Sequence, residues 1–260
     1  MVKIPKENPE MIEVDYAGKI LGREELEEVA RTVNKMARED FYGAKVLGRN
    51  IEVGANNGDL VYTSINGTIL VGQVVRDMFP GVGIANRAQK ERAYENGLSW
   101  EDVYSYDSLS VGGVDLSGEK LKGREFDFDV RLRELLKRRL GNFDGKSMEE
   151  LECLLLERPA LVKIDDLSLR PDENYGFVYQ INPQAEIILD GRLKQRGSFN
   201  GTDNYGLPNF CEDGKRDFFP NLLGRLLGVY VDDDGGLYAF DDDVWSLSGS
   251  RSRVVLTDSR

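Results

Sequence analysis

Oxygen ligands are the most concentrated chemistry in this sequence. Asp232-Asp233-Asp234-Gly235-Gly236 and Asp241-Asp242-Asp243 flank a short apolar run, Leu237 to Phe240. A hairpin there is expected to bring both acid triplets near one end of a sheet. Carboxylates gathered this way suit Ca²⁺ or Mg²⁺, and Asp232, Asp233, Asp234, Asp241 and Asp243 are the candidate metal ligands. The spacing is not that of an EF-hand: counting from Asp232, the turn glycine falls on Leu237 and the fifth ligand on Gly236. An Asp-Gly turn with a solvated acidic rim accounts for the same residues.

Histidine is absent. Ser-His-Asp and Cys-His catalysis, imidazole-held metals and histidine general bases are therefore excluded. Any reaction must run on carboxylates, Lys, Tyr, Cys or a bound cofactor. A nuclease pattern of the PD-(D/E)xK type fails on spacing, because Asp190 lies four residues from Lys194 instead of two. Cys153 and Cys211 are too few for a disulfide framework, and the apolar setting of Cys153 places it in the core.

The chain has 260 residues, 31% of them charged, and a net charge of −12. That balance disfavours nucleic acid and anionic lipid as partners. No apolar run approaches the roughly 20 residues needed to cross a bilayer, and the first residues lack the apolar stretch of a secretory signal. The expected compartment is the cytoplasm, a host-cell interior or a virion.

Short words recur in order along the chain. Glu24-Glu25-Leu26-Glu27 returns as Glu149-Glu150-Leu151-Glu152, and Ser64-Ile65-Asn66-Gly67-Thr68 as Ser198-Phe199-Asn200-Gly201-Thr202. Arg76-Asp77-Met78-Phe79-Pro80 returns as Arg216-Asp217-Phe218-Phe219-Pro220, and Asp102-Val103-Tyr104-Ser105 as Asp243-Val244-Trp245-Ser246. The order predicts an internal duplication: two related α+β halves, 1–123 and 124–260, with mixed or antiparallel sheet and a β-rich acidic tail.

Local patterns give the elements. Leu26, Val29, Ala30, Val33, Met36 and Ala37 have helical spacing and predict a helix over 22–39. Helices are expected near 69–79, 128–140, 147–158 and 221–228, with a polar stretch around Arg87, Lys90, Glu91 and Arg92 that is compatible with a helix. Strands are expected at 45–53, 60–65, 100–106, 111–116, 161–164, 177–181, 186–189, 229–231, 237–240 and 254–256. Residues 197–214 read as a long Gly/Asn/Asp-rich loop, and both Asn-Gly words read as turns.

Two resemblances attach to particular residues. Ile51-Glu52-Val53-Gly54-Ala55-Asn56-Asn57-Gly58-Asp59 resembles the first motif of FkbM-like S-adenosylmethionine methyltransferases. That resemblance implies a strand running into a turn where Gly54, Asn56, Gly58 and Asp59 meet the cofactor; a plain hairpin turn is the alternative. Arg23 to Arg38 followed by Tyr42-Gly43-Ala44-Lys45-Val46-Leu47 resembles the opening helix and strand of encapsulins and related phage-type shell proteins. It implies a shell or virus-like particle component. Without a coherent catalytic constellation, the leading expectation is a non-catalytic structural, assembly or interaction protein with protein partners or copies of itself. A divalent-metal enzyme built on the C-terminal aspartates is the alternative, and a methyltransferase the third reading.

Overall fold

The computed structural model describes residues 20–41, 50–54, 60–62, 65–95, 104–111, 138, 147–173, 176–219, 225–231, 237–242 and 252–258. Helix α1 spans Arg23–Asp40 and buries Leu26, Val29, Ala30, Val33 and Ala37 along one stripe. Its start is fixed by the Glu25 carboxylate, which accepts from the Gly22 N–H at 2.6 Å. Strands β1 (Glu52–Val53) and β2 (Leu60–Tyr62) pair antiparallel. Helix α2 (Ile65–Met78) follows, apolar enough to bury Ile69, Leu70, Val71, Val74 and Val75. Then come β3 (Val82–Ile84), α3 (Arg87–Glu95) and β4 (Tyr104–Val111).

The later elements are α4 (Met148–Glu157), β5 (Ala160–Lys163), β6 (Leu167–Asp172), β7 (Gly176–Ile181), β8 (Ile187–Leu189), β9 (Gly197–Thr202), β10 (Pro208–Phe210), β11 (Arg216–Phe219), β12 (Arg225–Val231), β13 (Leu237–Asp242), β14 (Ser252–Val254) and β15 (Leu256–Asp258). The class is mixed α+β. Among the described residues one large sheet has the order β1-β2-β14-β4-β12-β13-β11-β9-β10, with β5 and β8 branching from β4. Most pairs are antiparallel; β11–β13 and β14–β4 are parallel. Strand β4 is the hub, paired with β12 on one edge and with β14 and β5 on the other. Strands from both sides of residue 123 thus alternate within a single sheet.

Two of the recurring words take different structures in their two places. Asn66-Gly67-Thr68 lies in α2 whereas Asn200-Gly201-Thr202 lies in β9. Arg76-Asp77-Met78 ends a helix whereas Arg216–Phe219 is a strand. The Glu-Glu-Leu-Glu pair does match, in α1 and α4, and Asp243-Val244-Trp245-Ser246 lies outside the described residues. An internal duplication is not seen, and neither Asn-Gly word is a turn.

Other elements differ from expectation for definable reasons. Residues 197–214 form the β9–β10 hairpin and lead into β11; the Asp203 carboxylate organises its turn by accepting from Tyr205 N at 2.8 Å and Leu207 N at 3.0 Å. Residues 225–231 are strand and not helix, because β4 and β13 take up hydrogen bonds on both sides of that apolar run. Where a break was expected between strands at 100–106 and 111–116, β4 runs unbroken through the polar Asp107-Ser108; residues 100–103 and 112–116 lie outside the described residues. Cys153 is exposed: it lies two residues from each of the buried Leu151 and Leu155, on the opposite face of α4. The 128–140 helix falls outside the described residues except for Arg138.

The main core joins α1 and α2 to β5, β6, β7 and the strands beneath. Side chains tie the layers together: Gln73 Oε1 accepts from Leu169 N at 3.2 Å, and Asp165 Oδ1 accepts from Arg76 Nη1 at 2.7 Å and Ile84 N at 3.2 Å. A second, smaller core of Leu161, Leu193, Phe199, Leu207 and Phe218 lies under the β9–β11 end.

Candidate functional site

Helix α3 places its charged residues against the sheet. Asn86 starts it: Asn86 Oδ1 accepts from Gln89 N at 3.1 Å, and Gln89 Oε1 accepts in return from Asn86 N at 2.8 Å. Arg87, Lys90 and Glu91 then lie three and four positions apart on one face, and all three are buried. They meet Asp107 and Ser108 on β4 and Arg216 on β11, also buried. The β4–β12 pairing places Leu227 opposite Ser108 and Gly228 opposite Tyr106, so Asp107 is the extra residue of a bulge. Bulges re-aim side chains, and this one accompanies a carboxylate buried beside α3.

Each partner is specific. Arg87 Nε donates to the Gly206 carbonyl at 2.6 Å, and its guanidinium lies 5.7 Å over the Phe218 ring. Arg216 Nη1 donates to Glu91 Oε2, Nη2 donates to the Asn200 carbonyl at 3.1 Å, and the guanidinium lies 4.4 Å over Phe199. Lys90 Nζ stands 3.8 Å from Asp107 Oδ2, while Ser108 Oγ donates to Asp107 Oδ1 at 2.5 Å. Arg87 Nη1 and Nη2, Glu91 Oε1 and Asp107 Oδ2 are buried without a hydrogen-bond partner.

Burial governs the proton affinities. It pushes the Glu91 carboxyl up, against the pull of Arg87 and Arg216. It also brings Lys90 down to about 8, aided by Arg87 and opposed by Asp107. An amine that sheds its proton near neutrality is a usable base or nucleophile. Lys90 is nevertheless 0% exposed, so no substrate reaches it in this conformation. What the arrangement does accomplish is attachment: it fastens a polar helix of the first half to strands of both halves.

A second concave feature lies between α1 and β1, an open groove of about 290 Å³ lined by Arg23, Glu27, Ala30, Arg31, Asn34, Ile51, Glu52 and Val53. The Asn34 amide occupies the edge there, donating to the Ile51 carbonyl at 2.9 Å and accepting from Ile51 N at 2.8 Å. Such a clamp covers part of a sheet edge.

Of the residues singled out in the sequence, most lie outside the described residues. Gly54 follows β1 and is half-buried; Asn56, Gly58 and Asp59 lie outside the described residues. The 54–59 connection joins two antiparallel neighbours, as a hairpin turn does. Asp232, Asp233, Asp234 and Asp243 also lie outside the described residues, and Asp241 is in β13. The 232–236 connection leaves from the Val231–Leu237 end of the β12–β13 pair, whereas Asp241 and Asp242 pair with Leu227 and Leu226 at the other end. Four residues of strand, about 13 Å, separate Leu237 from Asp241. Among the described residues no three His, Cys, Asp or Glu side chains are grouped to hold a metal, and no helix is long and apolar enough to cross a membrane. The α3 cluster was not anticipated; its one sequence signal is a polar helix with charges at i, i+3 and i+4, with no water-facing stripe to spare.

No protein-family model, curated protein or solved structure matches this chain.

Proposed function

We propose that this chain is a non-catalytic structural or interaction protein that works within a larger assembly, in the class of shell and particle components. One observation carries the reading: Lys90, Glu91 and Asp107, the groups best suited to proton transfer, are sealed and fasten α3 to the sheet. A buried ionic network favours a single packing arrangement more than it adds net stability, a property suited to a scaffold. Two exposed, unbridged cysteines, Cys153 and Cys211, favour a reducing interior over an oxidising exterior.

Size-exclusion chromatography with light scattering at micromolar concentration tests this. The expected result is a defined multiple of the 29.3 kDa protomer mass. A 29.3 kDa species at every concentration, together with turnover of a small substrate, would overturn it.

A further inference from the structure

Helix α3 and strand β4 hold an amine against a carboxyl group with water shut out. Lys90 Nζ stands 3.8 Å from Asp107 Oδ2, and both side chains are 0% exposed. The two elements fix the two ends. Lys90 lies on the buried face of α3, and Asp107 is the extra residue of the β4 bulge, its carboxyl buried beside the helix. Ser108 Oγ donates to Asp107 Oδ1 at 2.5 Å, while Oδ2 accepts no hydrogen bond. Glu91, the next residue of α3, is buried with them, and its Oε1 accepts none either.

We propose that Lys90 and Asp107 join covalently, their side chains condensing to an amide that stitches α3 to β4. The ion pair becomes amine and acid when one proton passes from Nζ to Oδ2. Nζ then attacks Cγ, and the carbonyl electron pair moves onto Oδ1, where the Ser108 hydroxyl is already aimed. Glu91 takes a proton from Nζ and gives one to Oδ2. The electron pair returns from Oδ1, the Cγ–Oδ2 bond breaks, and Oδ2 leaves as water. One amine and one acid give one amide and one water, with no oxidant and no co-reactant. Position favours the step: 3.8 Å is little more than the roughly 3–3.5 Å from which held groups react at effective concentrations of about 10⁵–10⁸ M. Exclusion of water protects the product from hydrolysis. Burial brings Lys90 down to about 8, against the opposing pull of Asp107, so that part of it is amine at neutral pH. Burial also pushes the Glu91 carboxyl up, which suits a group that must hold and return a proton.

The bond is intramolecular and independent of any assembly, so it is read by mass and not by oligomeric state. Mass spectrometry of the full chain, purified folded and then denatured, tests it. The wild type is expected to be lighter than its sequence by one water. After trypsin, residues 88–92 and 93–120 should remain joined, with fragment ions that place the amide between Lys90 and Asp107. Lys90→Arg should keep the full sequence mass. A wild type at full mass would overturn the bond. So would a lost water that fragmentation traces to a succinimide at an Asp-Gly pair such as Asp213-Gly214. A Glu91→Gln chain that closes as completely as the wild type would overturn the part given to Glu91. If neither variant folds, the wild-type peptides decide alone.

Discussion

The α3 cluster and the corner around Arg192 use the same ingredients, guanidinium and carboxylate, yet Glu91 in the one and Asp190 in the other shift in opposite directions. At the corner, Arg192 Nη2 donates to Asp190 Oδ2 at 2.7 Å and to Asp203, Nε reaches both Asp190 oxygens at 3.1 Å, and Arg192 N donates to Asp190 Oδ1 at 2.8 Å. Burial pushes Asp190 up, yet the side-chain and backbone hydrogen bonds from Arg192 together outweigh it, and its carboxyl sits below the usual range. Glu91 has Arg216 on one oxygen and nothing on the other, with 1% of its side chain exposed against 23% for Asp190, and burial wins. Solvent at the back of a pair, and the number of bonds per carboxylate, decide the sign more than the pair itself. The corner is an ion pair that stabilises its charges; the cluster is one that tolerates them to hold a particular packing.

The largest effect is expected where backbone and cluster meet. Gly206 has φ of 75°, and a Cβ there would lie 2.4 Å from Arg87 Cγ and 2.7 Å from Ala88 N. Gly206→Ala should therefore cost about 3 kcal/mol or more, or prevent folding, read as urea midpoint or soluble yield. Next, Glu91→Ala removes the carboxylate that Arg216 meets in the interior and should cost about 3–5 kcal/mol, whereas Asp190→Ala should cost about 1.5–3 kcal/mol. Equal losses at the two sites would erase the contrast drawn above.

The same contrast appears in acid. Asp190, with its pKa depressed, contributes stability that is present above 3.8 and lost as pH falls through its folded value. Glu91, with its pKa raised, contributes stability that is full below 4.5 and lost as pH rises through its folded value. Unfolding midpoints between pH 3 and 6 should accordingly fall less steeply toward acid in Asp190→Asn, and rise less in Glu91→Gln. The smallest effect belongs to the exposed helix pairs. Arg23→Ala, which removes the 3.0 Å contact to Glu27, should move stability by no more than about 0.5 kcal/mol.

Helix α1 was legible in the sequence because a single buried stripe repeats through Leu26, Val29, Ala30, Val33 and Ala37 with charges opposite. The capped α4 and the strands at 160–163, 176–181 and 187–189 were legible for similar reasons. Strand β4 was not, since its buried centre is Asp107-Ser108-Leu109-Ser110 and a polar run reads as a break. The polar stretch at Arg87, Lys90, Glu91 and Arg92 is a helix, as its pattern allowed, but the burial of Arg87, Lys90 and Glu91 is not legible until Asp107 and Arg216 are seen to receive them. Each member is explained only by residues far along the chain, with Arg216 125 positions from Glu91. The 225–231 strand was hidden by its leucines, which suit a short helix as well as a strand, so that partners on both sides decide. The repeated words misled because short identical strings take the structure their neighbours impose.

If the buried ions under α3 are what lock the two stretches of chain together, Glu91 and Arg216 must be energetically coupled. A double-mutant cycle with Glu91→Ala, Arg216→Ala and the double variant, measured by urea unfolding at pH 7, reads that coupling. The expected value is about 2–3 kcal/mol. Additivity to within about 0.5 kcal/mol, as for the exposed Arg23–Glu27 pair, would contradict it.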